Sequence, residues 1–304
     1  MKLRFLFLLS ILTGSISGCD LGKDYSKTIF TSFYPVYDFA KRIAGDKFDI
    51  VNITPAGIEP HDYEPSARTI TNICDSDGLL INGIGMEAWT DSLPKEAKNK
   101  IQVVTKDIVI RKINEIDDQH VWLNPDNAII EMKNIKDYFC DIDVNNSDYY
   151  EQNYLKAKSD FEALTEEIED VVSSLTIRQI VVSHAAFGYM CDRFNLEQIY
   201  INGLEPEEEP SAKTIEEIID KVQKYNINTV YTEELVSKDI ANKIAEETHV
   251  KTDILYTLEG LTEDQIGKED YISLMKKNFE KIGRSNKWLN LIMFHFHFQL
   301  LKKY

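Results

Sequence analysis

Apolar residues along this chain follow two alternating periods, which predict strands and helices in turn. In the first half, short apolar runs predict strands at residues 27–35, 48–55, 77–85 and 100–107. Between the strands, residues 36–45 have helical spacing up to Gly45, and residues 66–76 begin at Ser66, a suitable N-cap. Strands that alternate with helices are typical of parallel βαβ units.

The stretch 147–175 contains neither glycine nor proline and has apolar residues at helical spacing. At 1.5 Å per residue it predicts a helix on the order of 40 Å long, too long for one small lobe. Alternation then resumes, with predicted strands at residues 178–184, 197–203, 227–234 and 251–260. The pattern therefore predicts an α/β fold of two lobes, each a mainly parallel sheet flanked by helices, joined by one long backbone helix.

The N-terminus has the pattern of an export signal. Lys2 and Arg4 precede a short apolar run, and "ISGC" ends at Cys19, as in a bacterial lipoprotein signal. We expect Cys19 to be lipidated and the protein to be extracytoplasmic and anchored to the membrane; an ordinary secretory signal or an uncleaved anchor is the alternative. The predicted organisation is a signal peptide at 1–18, a tether at 19–26, an N-terminal lobe at 27–146, the linking helix at 147–175, a C-terminal lobe at 176–283 and an atypical apolar tail at 284–304.

Charge and cysteine content narrow the classes of function. The 304 residues carry a formal net charge of -17, which argues against a nucleic-acid partner. Cys74, Cys140 and Cys191 are irregularly spaced and form no CxxC pair, so a thiolate metal site is not expected and their pairing stays open.

Three histidines stand at predicted strand-to-loop transitions. His61 lies between prolines in "GIEPHDYEPS", His120 lies in "DDQHVWLNP", and His184 ends the strand "RQIVVSH". In doubly wound sheets the ligand crevice lies beyond the carboxyl ends of the strands. Together these histidines favour a metal site in a cleft between the lobes.

The other histidines favour different interpretations. His249 follows a predicted helix, where a residue with positive φ often ends the helix, so we interpret it as structural. His295 and His297 alternate with phenylalanines in the tail, which we interpret as an apolar segment and not as a metal site.

Motifs for other chemistries are missing from the sequence. It has no GxSxG, GxxxxGK[ST] or GxGxxG, which disfavours a serine hydrolase and a nucleotide-binding protein. "HDYE" lies between prolines and has no second histidine, so it is not the HExxH of a zinc protease.

Eight stretches of the chain resemble the metal-binding subunit of bacterial zinc and manganese ABC transporters, a family of solute-binding lipoproteins. They follow the family's order from about residue 28 to 282 and are "TSFYPVYDFAKRIAGD", "GIEPHDYEPSAR", "GLLINGIGMEAW", "DDQHVWLNP", "VVSHAAFGYMCDRFNL", "EPSAKTIEEIID", "TEELVSKDIANKIAEET" and "ILYTLEGLT".

The resemblance implies a metal site made of His61, His120, His184 and Glu259. Three imidazoles and a carboxylate form a closed four-coordinate shell, which suits one Zn²⁺ ion carried as the transported ligand and argues against an enzyme. Manganese-binding members tend to replace a histidine with a carboxylate, so His184 favours zinc. The alternatives are a manganese- or iron-binding receptor of the same family, a surface adhesin and, less favoured, a zinc hydrolase.

Several residues near the implied ligands stay open in role. Glu59, Glu64 and Glu233 compete with Glu259 as the acidic ligand or lie around the site, and Asp118 is a candidate to orient His120. The chain departs from the family at Gln119, where proline is usual, and has only "KINEIDDQ" in place of a histidine-rich loop. The resemblance also implies a monomer that works with ABC permease and ATPase subunits on separate chains.

Overall fold

The computed structural model of the protein describes residues 25–285. The predicted signal peptide, Cys19 of the tether, and His295 and His297 of the tail lie outside the described residues. No helix between residues 25 and 285 is both long and apolar enough to cross a membrane.

The N-terminal lobe is built on a four-stranded parallel sheet in the order β2-β1-β3-β4. Its strands are β1 (Thr28–Thr31), β2 (Asp49–Asn52), β3 (Gly78–Ile81) and β4 (Ile101–Val103). Its helices are α1 (Tyr34–Ala44), α2 (Ala67–Cys74), α3 (Lys95–Lys98) and α4 (Pro125–Ile142). A small antiparallel hairpin of β5 (Lys112–Ile113) and β6 (Ile116–Asp117), which the sequence did not predict, occupies the "KINEIDDQ" region.

The C-terminal lobe repeats this strand order. Its parallel sheet has the order β10-β9-β7-β8, so in both lobes the second strand lies on one side of the first and the third and fourth lie on the other. The strands are β7 (Gln179–His184), β8 (Glu197–Asn202), β9 (Thr229–Thr232) and β10 (Lys251–Ile254). The helices are α6 (Gly188–Phe194), α7 (Ala212–Lys224), α8 (Asp239–Thr248) and α9 (271–285).

The long helix α5 (Ser147–Ser173) confirms the helix that the periodicity of the sequence predicts. Its buried Phe161 packs against Phe39 of α1 and stacks on Tyr271 of α9, with ring centroids 5.9 and 4.7 Å apart. One apolar cluster therefore runs from the first sheet through α5 to the second lobe. Since this core is shared, large independent movements of the two lobes would expose apolar surface.

Helix ends follow the signals in the sequence. Ser66 caps α2 by accepting a hydrogen bond from the Thr69 amide at 3.1 Å. Gly45 ends α1 with φ +56°, and a Cβ there would lie 2.1 Å from the Tyr149 hydroxyl. His249 ends α8 in the left-handed conformation with φ 58°, which confirms its structural interpretation. Cys74, Cys140 and Cys191 are all free thiols.

Candidate metal centre

Four side chains meet in the cleft at the carboxyl ends of the strands. His61, His120, His184 and Glu259 each offer one ligand atom, and these atoms lie within 4.8 Å of one another. Two of the residues come from each lobe. The side chains of all four are nearly or completely buried, with 3% of His61 exposed.

His184 is positioned by the sheet itself. It is the last residue of β7, and its backbone pairs with Asn202 of β8. Its amide also donates to the carboxylate of Glu233, which directly follows β9, at 3.3 Å. Register and this hydrogen bond together fix where the imidazole leaves the backbone.

His61 is positioned by a loop and not by a strand. The Tyr63 amide donates to the Pro60 carbonyl at 3.3 Å, which makes a turn around His61. The His61 amide donates to Glu59 Oε1 at 3.2 Å. The Gly57 amide donates to the Leu261 carbonyl at 2.9 Å, so this loop is tied to the loop that carries Glu259.

Glu259 is held by Thr257, which the N-terminal lobe contacts in turn. The buried indole of Trp122, two residues after His120, donates to the Thr257 carbonyl at 2.8 Å. The Thr257 hydroxyl in turn donates to Glu259 Oε2 at 3.1 Å, which leaves Oε1 to face the imidazoles. Leu258 between them has φ 61°, a left-handed conformation that is costly for a leucine and that turns the chain here.

Four distances between ligand atoms are close to those in the coordination shell of a small cation. Glu259 Oε1 lies 3.2 Å from Nε2 of His120 and 3.6 Å from Nε2 of both His61 and His184. The Nε2 atoms of His120 and His184 are 3.2 Å apart. Tetrahedral zinc with bonds of about 2.0–2.1 Å has ligand atoms about 3.3 Å apart. His61 Nε2 and Glu259 Oε1 are buried without a hydrogen-bond partner, so the donor set fits a metal.

Each imidazole meets a carboxylate at its other nitrogen. Nδ1 of His120 lies 2.9 Å from Asp118, and Nδ1 of His184 lies 2.8 Å from Glu233. Nδ1 of His61 lies 3.2 Å from Glu205. A proton on Nδ1 shared with a carboxylate leaves the lone pair on Nε2, so all three imidazoles are oriented to bind metal through Nε2.

The candidate acids from the sequence take different places. Glu59 is mostly buried beside His61, and burial together with the charge of Glu259 raises the pKa of Glu59 to about 8. Glu233 supports His184 from behind. Glu64 is exposed and is not among the residues that meet at the cluster.

The cluster favours positive charge where the Nε2 atoms converge. Burial lowers the pKa of His61, but the neighbouring carboxylates of Glu205 and Glu259 outweigh it and raise that pKa to about 10. At His184, burial is likewise outweighed by Glu233 and Glu259, and its pKa is raised well above the ordinary value. Burial raises the pKa of Glu259, but the three imidazoles that face its Oε1 hold that pKa well below its usual range. A divalent cation bound here would replace the protons that the histidines hold at Nε2.

Two residues of the centre were missed in the sequence. Glu205 begins the acidic run "EPEEEP", which looks like a solvated loop, and Gln119 was noted only as a departure from proline. The Gln119 amide nitrogen lies 2.8 Å from His61 Nδ1 and donates to Glu205 Oε1 at 3.4 Å.

Two α/β lobes, each with a parallel sheet, enclose a buried centre of three histidines and a carboxylate. This arrangement defines the class of two-lobed metal-binding receptors. The family model described as zinc-uptake complex component A, periplasmic (ZnuA), matches residues 29–285, and the chain belongs to this family. The predicted family and fold are thereby confirmed.

Individual relatives agree with this assignment. The chain is 31% identical to the high-affinity zinc uptake system protein ZnuA of Bacillus subtilis, over 92% of this chain and 94% of that protein. It is 34% identical to the zinc-binding lipoprotein AdcA of Streptococcus pneumoniae over 94% of this chain, but it spans only 61% of AdcA. The solved Zn(II)-bound ZnuA-like domain of AdcA superposes with a TM-score of 0.75 and 34% identity, over 86% of this chain and 99% of the domain.

A further solved relative is the laminin-binding protein Lmb of Streptococcus agalactiae, described as a bifunctional protein with adhesin and metal-transporting activity. It matches with a TM-score of 0.79 and 31% identity, over 85% of this chain and 99% of Lmb.

Proposed function

We propose that this protein is the zinc receptor of an ABC metal importer. It binds one Zn²⁺ as cargo between its lobes, through Nε2 of His61, His120 and His184 and through Glu259. The observation that carries the proposal is the convergence of three Nε2 atoms within 3.2–3.6 Å of Glu259 Oε1, close to tetrahedral edge lengths. The Zn(II)-bound AdcA domain supports the choice of metal.

The chemistry of the donor set supports a carrier over a catalyst. Four protein ligands leave no open position for an activated water on a four-coordinate zinc. We therefore infer that the protein captures and hands on zinc without transforming a substrate. The permease and ATPase belong to other chains, and Cys19 carries the lipid anchor that keeps the receptor at the extracytoplasmic face of the membrane.

Competition with a chromogenic zinc chelator tests the proposal. We expect one tight zinc site per chain, lost in His184→Ala and kept in His249→Asn, because asparagine also tolerates the left-handed conformation that ends α8. Weak zinc binding, or displacement of zinc by Mn²⁺ at equal buffered free concentrations, would contradict the zinc assignment.

Adhesion is a separate hypothesis, favoured by the description of the Streptococcus agalactiae relative. Binding of the purified protein to immobilised laminin, compared between the wild type and His184→Ala, tests it. Binding by both proteins would support an adhesive surface that works without the metal, and binding by neither would remove the hypothesis.

A further inference from the structure

The three imidazoles differ in the origin of the carboxylate at Nδ1. Asp118 is two residues before His120 in the same lobe, and Glu233 directly follows β9, the strand that pairs with β7 of His184. Both carboxylates are buried. Glu205 differs in both respects, because it follows β8 of the C-terminal lobe while His61 belongs to the N-terminal lobe, and 56% of its side chain is exposed.

The surroundings of His61 Nδ1 contain one acceptor and one donor. Glu205 Oε2 lies 3.2 Å from Nδ1, and the ionised carboxylate can accept a hydrogen bond but cannot donate one. The Gln119 amide nitrogen lies 2.8 Å from the same Nδ1 and can only donate. The two partners therefore favour opposite tautomers of His61, and only the proton shared with Glu205 leaves Nε2 free for a metal.

Glu205 also controls the orientation of Gln119. Its other oxygen, Oε1, accepts from the Gln119 amide nitrogen at 3.4 Å. The amide nitrogen carries two hydrogens, and the hydrogen bond to Glu205 uses one of them while the nitrogen stays 2.8 Å from Nδ1. One carboxylate therefore contacts both the imidazole and the amide that competes for it.

We propose that Glu205 is the positioning residue for His61, and that this contact across the cleft holds His61 in its zinc-binding tautomer. The inference rests on the proposed zinc-receptor function. Zinc retention then depends on an exposed loop of the opposite lobe. When this loop separates from His61, that imidazole binds the metal less strongly, while the imidazoles of His120 and His184 stay in place.

Zinc dissociation into excess chelator, measured on the full protein, tests the inference. We expect Glu205→Ala to release zinc about 10–100-fold faster, the range found when such a partner of a ligating histidine is lost. Glu205→Gln should recover most of the retention, since its amide oxygen can still accept the Nδ1 proton. Glu207→Gln removes the same charge from the same exposed loop and serves as the matched control, with release unchanged within about twofold.

A double-mutant cycle separates action through His61 from a general effect of charge. In the His61→Ala background, Glu205→Ala should have no further effect, because its target is absent. Release by Glu205→Ala at the wild-type rate, or an undiminished effect in the His61→Ala background, would overturn the inference. Either result leaves the receptor proposal standing, whereas failure of the wild-type protein to bind zinc tightly would remove the proposed function itself.

Discussion

The two lobes share one strand order, yet they hold their metal-site residues in different ways. In the C-terminal lobe His184 is part of β7 and is fixed by strand pairing. In the N-terminal lobe His61 stands on a loop beyond β2 and is held by turns and by side chains from the opposite lobe. The same architecture therefore holds one ligand on a rigid strand and the other on a loop that can move.

This difference suggests how capture and release divide between the lobes. A ligand fixed by a sheet is ordered before the metal arrives and loses little entropy on binding. A ligand held by a loop loses more entropy on binding, but it can also move away from the metal without disturbing a sheet.

Removal of the sheet-held ligand should have the largest effect. We expect His184→Ala to weaken zinc binding by about a thousandfold, which corresponds to about 4 kcal/mol. His61→Ala should weaken it less, since the lost ligand had an ordering cost of its own. Chelator competition on both variants measures the two losses. Equal losses, or a larger loss for His61→Ala, would show that the loop is as well ordered as the strand.

The shared core should make the lobes unfold together in spite of their different loops. Phe161→Ala removes the ring between Phe39 and Tyr271, and we expect a loss of about 3–5 kcal/mol in the free energy of unfolding. Chemical denaturation followed by far-UV circular dichroism should show one transition at a lower midpoint. Two separate transitions would mean that each lobe has an independent core.

The buried support of the sheet-held ligand should matter without being essential. We expect Glu233→Ala to weaken zinc binding by about 10–100-fold, because His184 Nδ1 then loses the acceptor that orients the imidazole. Isothermal titration with a competing chelator measures the change. Thermal unfolding of the metal-free variant provides the control, since a variant that is unfolded at the assay temperature says nothing about the ligand.

Zinc affinity should fall as the pH falls. The pKa of His61 is raised from 6.5 to about 10, so below pH 10 zinc must displace a proton from this imidazole. Below pH 10, each displaced proton lowers the zinc affinity about tenfold for every unit by which the pH decreases. Above pH 10 the imidazole no longer carries this proton, so the dependence ends. Calorimetry in buffers of different ionisation enthalpy counts the protons. His61→Ala should release fewer, and an unchanged count would place the proton elsewhere.

The smallest effect should come from the exposed acid beside the loop-held ligand. Glu64→Gln should leave zinc affinity within about twofold of the wild type, because an exposed charge outside the cluster is screened by solvent. The same chelator competition measures it. A tenfold loss would mean that Glu64 reaches the metal when zinc is bound.

Much of the fold was predictable from local patterns. Apolar runs located the strands of both sheets, and the absence of glycine and proline located α5. The end of α8 at His249 followed from the tolerance of histidine for positive φ. The helix α5 begins at residue 147, where the sequence pattern placed its start, and it ends at Ser173. The short hairpin of β5 and β6 was missed, since two-residue strands carry no period.

The candidate centre was only partly predictable from the sequence. Their position after predicted strands indicated the three histidines as ligands. Glu259 was predicted only from the resemblance to the family, since an acid in a loop carries no signal of its own. Glu205 could not be found, because its partner His61 is distant in sequence and lies in the other lobe. Contacts between two loops depend on how the lobes pack, and no residue pattern within either loop records that packing.

A crystal structure of the zinc-loaded protein, with the metal located by its anomalous scattering, tests the central claim most directly. We expect one zinc ion bound by Nε2 of His61, His120 and His184 and by Oε1 of Glu259, at about 2.0–2.1 Å in tetrahedral geometry. Zinc at another place, coordination through Nδ1, or a water molecule in place of Glu259 would contradict it.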